Sequence, residues 1–343
     1  MSHHRISSTV ICAVTAALTC VAVGSAGASA GASAGASAGG STTAATGTVR
    51  SVRTAAELTS ALANARPGQV IQLADGTYDG RFVITASGTA AAAITLRGSA
   101  RAVIRSGSTS TGVTVHLQGA SHWRLEGFSV RGGQKGVVLD RSNSNVISGL
   151  DVGSTGMEAV HFRSASSGNR IEKSSVHHTG LYEPGYGEGI YIGSAMSNWA
   201  KYGDGGPDRS DRNVVAGNHI WATTAENIDV KEGTVRGRIV DNRLDGSAMT
   251  GVHFADSWID LKGNGYQVIA NTGVNTPLDG FQTHVQLDGW GRYNVFSANM
   301  LDVDAGGYGI NVYRGDASTA NVVRCDNVAA GAARGLSSIP CVD

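Results

Sequence analysis

The chain has 343 residues, and its 27 Lys plus Arg offset its 27 Asp plus Glu, so the formal net charge is zero. That balance excludes capture of nucleic acid by a net positive field. With 41% apolar residues, 16% charged residues and 48 glycines, the chain can build a core, and coiled coils, Lys-rich tails and collagen are excluded.

Residues 1–30 are predicted to be a secretory signal peptide. His3, His4 and Arg5 precede an apolar run from Val10 to Val23, and small-residue cleavage sites follow at Ala28 and Ala30. The run is too short to span a bilayer comfortably, so a secreted, extracellular protein without membrane association after cleavage is expected. Residues 31–47 form a Gly/Ala/Ser/Thr tract that reads as a flexible linker, and residues 48–343 are the folded domain. Cys12 and Cys20 fall in the leader. The mature chain keeps Cys325 and Cys341, predicted to form a disulfide closing the C-terminal end.

The domain opens with TAAELTSALANA, Thr54 to Ala65, whose apolar residues recur at helical spacing after a Thr cap and stop at Arg66-Pro67-Gly68. An amphipathic helix is predicted here, covering the first coil of a solenoid whose strands start with VIQLADGTYDG. Beyond it a phrase recurs: WRLEGFSV at Trp123, NVISGLDV at Asn145, NRIEKSSV at Asn169, NVVAGNHI at Asn213 and NVFSANML at Asn294. A second family of strands lies between these phrases: GVVLD at Gly136, AVHFR at Ala159, GIYIG at Gly189, NIDVK at Asn227, WIDLK at Trp258 and GINVY at Gly309. Two short strands per period, with Gly and Asn at the corners, predict an all-β, right-handed parallel β-helix capped by the N-terminal helix. Asn at the repeated corner is expected to adopt left-handed dihedrals and to hydrogen-bond its copy in the next coil.

A solenoid converts sequence spacing into spatial columns. Aligning the inward pairs Val160/Phe162, Ile190/Ile192, Ile228/Val230 and Ile259/Leu261 places Glu158, Glu188 and Glu226 one above another. Such an acidic column needs neutralising, and its hard oxygen ligands, with Asp229 beside them, suit calcium. The outward residue between each pair gives a polar stripe of His161, Tyr191, Asp229, Asp260 and Asn311. A third column holds Arg163, Lys231 and Lys262. The chemistry this suggests is β-elimination next to a uronic acid, in which a cation neutralises the carboxylate, a lysine with a lowered pKa removes the C5 proton, and an acid protonates the leaving oxygen. His161, Arg163, Tyr191, Trp258, Asp260 and His284 are the expected substrate contacts. Long insertions from His177 and Ser194, carrying Tyr182, Tyr186, Trp199 and Tyr202, are expected to form a binding rim. The histidines lack zinc-motif spacing.

These motifs carry a resemblance. TAAELTSALANARPGQVIQLADGTY resembles the helix-plus-first-coil entry of secreted β-helix polysaccharide lyases, and ENIDVK is similar to the motif of the chondroitinase B and alginate lyase family. The resemblance implies that Glu226 is a calcium ligand and Lys231 the base. In that family an Arg in the following coil assists as acid; here Lys262 stands at the similar place, and Thr224 stands where the family has a second acidic ligand. A monomeric, calcium-dependent polysaccharide lyase acting on an anionic polysaccharide is therefore expected. The alternatives are a β-helix glycoside hydrolase using Asp229 and Asp260, an epimerase, or a non-catalytic carbohydrate-binding solenoid.

Overall fold

The computed structural model describes residues 48–313 and 318–343; the predicted signal peptide and linker lie outside the described residues. Short strands rich in Val, Ile and Leu wind into coils, and successive coils pair in three parallel sheets of eleven, ten and nine strands. The β-helix predicted from the repeats is thus the fold. A strand of three or four residues cannot bury an apolar face alone, but stacking coils about 4.8 Å apart merges the inward residues into one core and pairs the backbone groups between coils. Trp123, Phe128, Phe162, Trp258, Tyr266, Phe281 and Phe296 lie fully inside.

Each coil holds three strands where two were expected. The phrase beginning at Trp123 is two strands, Trp123–Glu126 and Ser129–Arg131, broken at Gly127 with φ 79°. One left-handed residue turns the chain from the eleven-stranded to the ten-stranded sheet without interrupting the apolar pattern, which is why the two strands read as one. The same device recurs at Gly149, Lys173, Gly217, Asp241, Ala270 and Ala298.

The corner asparagines form the expected ladders with a different backbone. Asn218, Asn242, Asn271, Asn299 and Asn327 are buried, and each of the first four directs its backbone N–H and its amide Nδ2 at the Oδ1 of the next, at 2.8 to 3.1 Å. The left-handed conformation falls on the residue before, as at Gly217, Asp241, Ala270 and Ala298. The Asn side chain therefore points into the stack and satisfies donors that the turn would orphan. Asn242→Ala should lower unfolding free energy by about 2–4 kcal/mol, because Asn218, Val215 and Asn271 each lose a buried partner. Urea unfolding checks this, and a loss below about half a kcal/mol would contradict it.

The predicted helix spans Ala55–Ala63, and the Thr54 hydroxyl accepts from Glu57 N–H. Leu58, Ala61 and Leu62 are buried where the helix packs against the first coil. One strand precedes the helix, unanticipated from the sequence: Val49–Val52 pairs with Val70–Leu73. At the other end Cys325 and Cys341 are bonded, as expected, with Cα atoms 5.0 Å apart.

Candidate active site

On the outward face of the nine-stranded sheet, parallel register stacks side chains into three columns. The middle one runs His161, Tyr191, Asp229, Asp260, Gln282 and Asn311. Two residues before each inward strand member stand Lys135, Glu158, Glu188, Glu226, Ser257 and Asp279. The third column, Arg163, Gly193, Lys231, Lys262, His284 and Tyr313, is held by bonds such as Lys231 N–H to the Ile192 carbonyl and Lys262 N–H to that of Val230. The register inferred from alternation is the register observed, extended by Lys135 at one end and Asp279 and Gln282 at the other.

At the centre Glu188, Glu226 and Asp229 bring one carboxylate oxygen each within 4.8 Å of the others. Asp229 is ion-paired to Lys231 at 2.6 Å and to Lys262 at 3.2 Å. Lys262 also pairs with Asp260. Burial works against the Asp229 carboxylate, but the two ammoniums outweigh it and hold its pKa below the usual range. Glu188 and Glu226 have no side-chain hydrogen-bond partner among the described residues. Burial, then Glu158 and Asp229, push the Glu188 carboxyl from 4.5 to about 8. Burial, then Asp229 and Asp260, raise Glu226 well above its usual range.

In the cation-free site the lysines are held as ammoniums, the opposite of the shift expected beside calcium. Burial would discharge Lys231, but Asp229 and Asp260 outweigh it and hold its pKa above the usual lysine value. Asp229 and Asp260 do the same for Lys262. Lys231 Nζ lies 5.1 Å above the centroid of the Tyr191 ring. Burial, then Asp229 and Glu188, raise the Tyr191 phenol well above 10, so it is a neutral hydroxyl beside an ammonium.

Several expected site residues are placed elsewhere or engaged. Trp258 is a core residue: its ring is fully buried, its indole N–H bonds the Val274 carbonyl at 2.9 Å, and its volume occupies space left by Gly273 and Gly280. As the strand leaves its corner, the empty glycine positions of the neighbouring strands draw the ring inward. Glu158 stands apart from the carboxylate cluster, taken up by Lys135 and by His161 Nδ1 at 2.7 Å, and its pKa is lowered to about 2, with burial opposing and Lys135 prevailing. Arg163 is tied to Asp140 through Nε at 2.7 Å and Nη2 at 3.1 Å, and it stacks on Tyr202 at 4.2 Å. It anchors the insertion rather than presenting a charge to the groove. His161 is wedged against Tyr191, its Nε2 2.8 Å from the Gly193 carbonyl. His284 sits at the site's edge, stacked on Tyr313, its Nε2 2.9 Å from Gln282 and 3.6 Å from Asp260. Lys135 was missed, although its place two residues before Val137 already put it in the acidic column.

The insertions flank the sheet as a rim. One precedes strand Ile190–Ile192 and exposes Tyr182 and Tyr186; Tyr186 lies 4.9 Å from His253, next to a fully presented Phe254. The other follows the same strand and is clamped by buried Asp208, which accepts from Ser164 N–H, Ala165 N–H, Ser194 Oγ and Ser210 Oγ at 2.7 to 2.9 Å.

A groove of stacked carboxylates and lysines on a parallel β-helix defines a class, and solved structures agree. An alginate lyase from Paenibacillus sp. str. FPU-7 matches with 37% identity over 85% of this chain and 96% of its own, at a TM-score of 0.76. The fold is shared by a pectate lyase, 14% identical over 83% of this chain and 75% of its own at a TM-score of 0.58. It is shared too by a mannuronic-acid-specific family 6 polysaccharide lyase from human gut microbiota, 13% identical over 86% and 77% at a TM-score of 0.53. No protein-family model and no curated protein matches the sequence. The chain belongs to the family of the Paenibacillus enzyme, among the β-helix polysaccharide lyases. It is an enzyme of the lyase class that degrades a polysaccharide.

Proposed function

We propose that this lyase is exported, works as a monomer, and cleaves a polyuronate, alginate foremost, by β-elimination. The observation that carries the reading is the buried juxtaposition of Lys231, neutral Tyr191 and an acidic cluster on one groove face. The relationship to an alginate lyase selects the polymer to test first.

In this mechanism Lys231, as the free amine, takes the C5 proton of the uronate. The electron pair forms the C4–C5 double bond, the C4–O bond breaks, and the leaving oxygen takes the Tyr191 phenolic proton. In the resting site Lys231 is an ammonium, so the base form grows as pH rises and activity has an alkaline limb. Lys262 is bound by two aspartates. Its task is to hold Asp229 and Asp260 in place through these two ion pairs, rather than the protonation expected of it from sequence.

The residues fit a divalent cation. Four carboxyls, Glu188, Glu226, Asp229 and Asp260, face two ammoniums, Lys231 and Lys262; the lysines pair with the two aspartates, and Glu188 and Glu226, which hold protons in the cation-free site, are the two carboxyls whose ionisation a divalent cation would balance. Asp260 Oδ1 is buried with no hydrogen-bond partner among the described residues. Glu188, Glu226 and Asp229 would hold calcium, which would supply neutralisation of the substrate carboxylate. A hydrolase would need Asp229 and Asp260 to work on a water between them, whereas here Lys262 Nζ bridges the pair.

Ultraviolet absorbance of the unsaturated product should rise on alginate and fall to baseline with chelator. Reducing ends without that absorbance would sink the elimination reading, and chelator-resistant absorbance would sink the cation.

A further inference from the structure

Around the corner from the groove, between the nine-stranded and eleven-stranded sheets, lies a cleft of ≈470 Å³ lined by Arg209, Arg212, Arg236, Asn264, Gly265 and Tyr293. We propose that it is a second saccharide subsite, holding an acidic sugar of the same polymer chain beyond the catalytic lysine. The inference rests on the polyuronate reading above.

The cleft follows from one column of the fold. Arg212, Arg236, Gly265 and Tyr293 each stand two residues before a strand of the eleven-stranded sheet, so they stack coil upon coil. All four are left-handed, with φ between 55° and 68°, and this turns their side chains outward from the corner. Gly265 contributes none, and a Cβ built there meets only the Arg236 chain at 3.8 Å. The missing side chain opens a slot one coil high, between a guanidinium on one side and the Tyr293 ring, 60% exposed, on the other.

The chemistry suits an acidic sugar. Arg209 is paired with Asp211 at 2.8 Å, but Arg212 and Arg236 form no ion pair among the described residues. Two free guanidiniums offer forked donors for a carboxylate, and an exposed phenol ring gives the apolar face of a sugar a stacking surface. The position suits a polymer: Arg236 lies five residues after Lys231, so the two Cα atoms are at most about 18 Å apart. Zero net charge makes such a local patch the means of gripping a polyanion.

The test is the double variant Arg212→Asn/Arg236→Asn, since Asn accepts the left-handed backbone and an unchanged melting temperature confirms folding. On alginate polymer, KM should rise about fivefold with kcat within about twofold and a weaker dependence on salt. On the shortest alginate oligosaccharide that the wild type cleaves, KM should not move. An unchanged polymer KM, or an equal rise on the short substrate, overturns the subsite. If the wild type cleaves no polyuronate, the functional reading has failed and binding decides the subsite separately. Electrophoresis through alginate-containing gel should then retard the wild type more than the double variant, each measured against its own mobility in gel containing uncharged dextran, since loss of two charges alters mobility in any gel. Equal relative retardation of the two proteins by alginate overturns it.

Discussion

Lys231→Ala should reduce turnover on the polymer about 10³-fold or more while leaving the melting temperature within a few degrees of wild type. The loss follows from removing the amine that stands over the Tyr191 ring without being bound by two carboxylates. The retained stability follows from the partner left behind: Asp229 keeps Lys262 at 3.2 Å and is not stranded as a buried, unpaired charge. Lys231→Arg should be as inactive as the alanine variant, since a guanidinium keeps the charge but cannot take a proton at working pH. Lys262→Ala makes the contrast, because it strips Asp260 of its ammonium and should cost about 3–5 kcal/mol of stability along with activity. Initial rates of ultraviolet absorbance beside melting curves separate the two lysines. A Lys231→Ala enzyme within about tenfold of wild type would remove Lys231 from the chemistry.

Glu188→Gln should make the cation-free protein more stable above pH 8 and leave it unchanged near pH 4. In the folded chain burial, with Glu158 and Asp229 as neighbours, pushes this carboxyl from 4.5 to about 8. Between those values the native state keeps a proton that the unfolded chain releases, so stability is full below pH 4.5 and is lost as pH rises to about 8. The drop that the glutamine removes amounts to as much as about 4 kcal/mol. Melting temperatures with chelator, at several pH values from about 4 to 9, read it directly. Adding calcium at about pH 9 should restore the wild type and leave the variant where it was. Parallel pH curves for the two proteins would mean that Glu188 is not held protonated.

What could be read from the sequence was whatever period-two alternation controls. Once Val160, Ile190, Ile228 and Ile259 were set in register, the residues between and beside them had to form columns, and those columns are the site. Trp258 escaped that logic because its direction depends on glycines in two other strands, Gly273 and Gly280, far away in the chain. Without a cation the lysine pKa values run opposite to the shift expected beside calcium, because proximity in a column says which charges are near but not which pair touches. Lys231 meets Asp229 at 2.6 Å, and that contact decides the sign. The third strand of each coil was hidden because one left-handed residue turns the corner without interrupting the apolar pattern, and at Lys173 and Ala270 that residue is not even a Gly.

The three columns also make the groove a lattice with fixed steps. Along the stack every position is one coil, about 4.8 Å, from its equivalent, and along a strand every second residue returns to the same face. Moving a functional group in this enzyme therefore requires no new backbone, only an exchange of side chains between equivalent strand positions such as Tyr191 and Asp229. A lyase built this way can shift its reaction centre along the stack in whole-coil increments while its core, corners and asparagine ladders stay as they are.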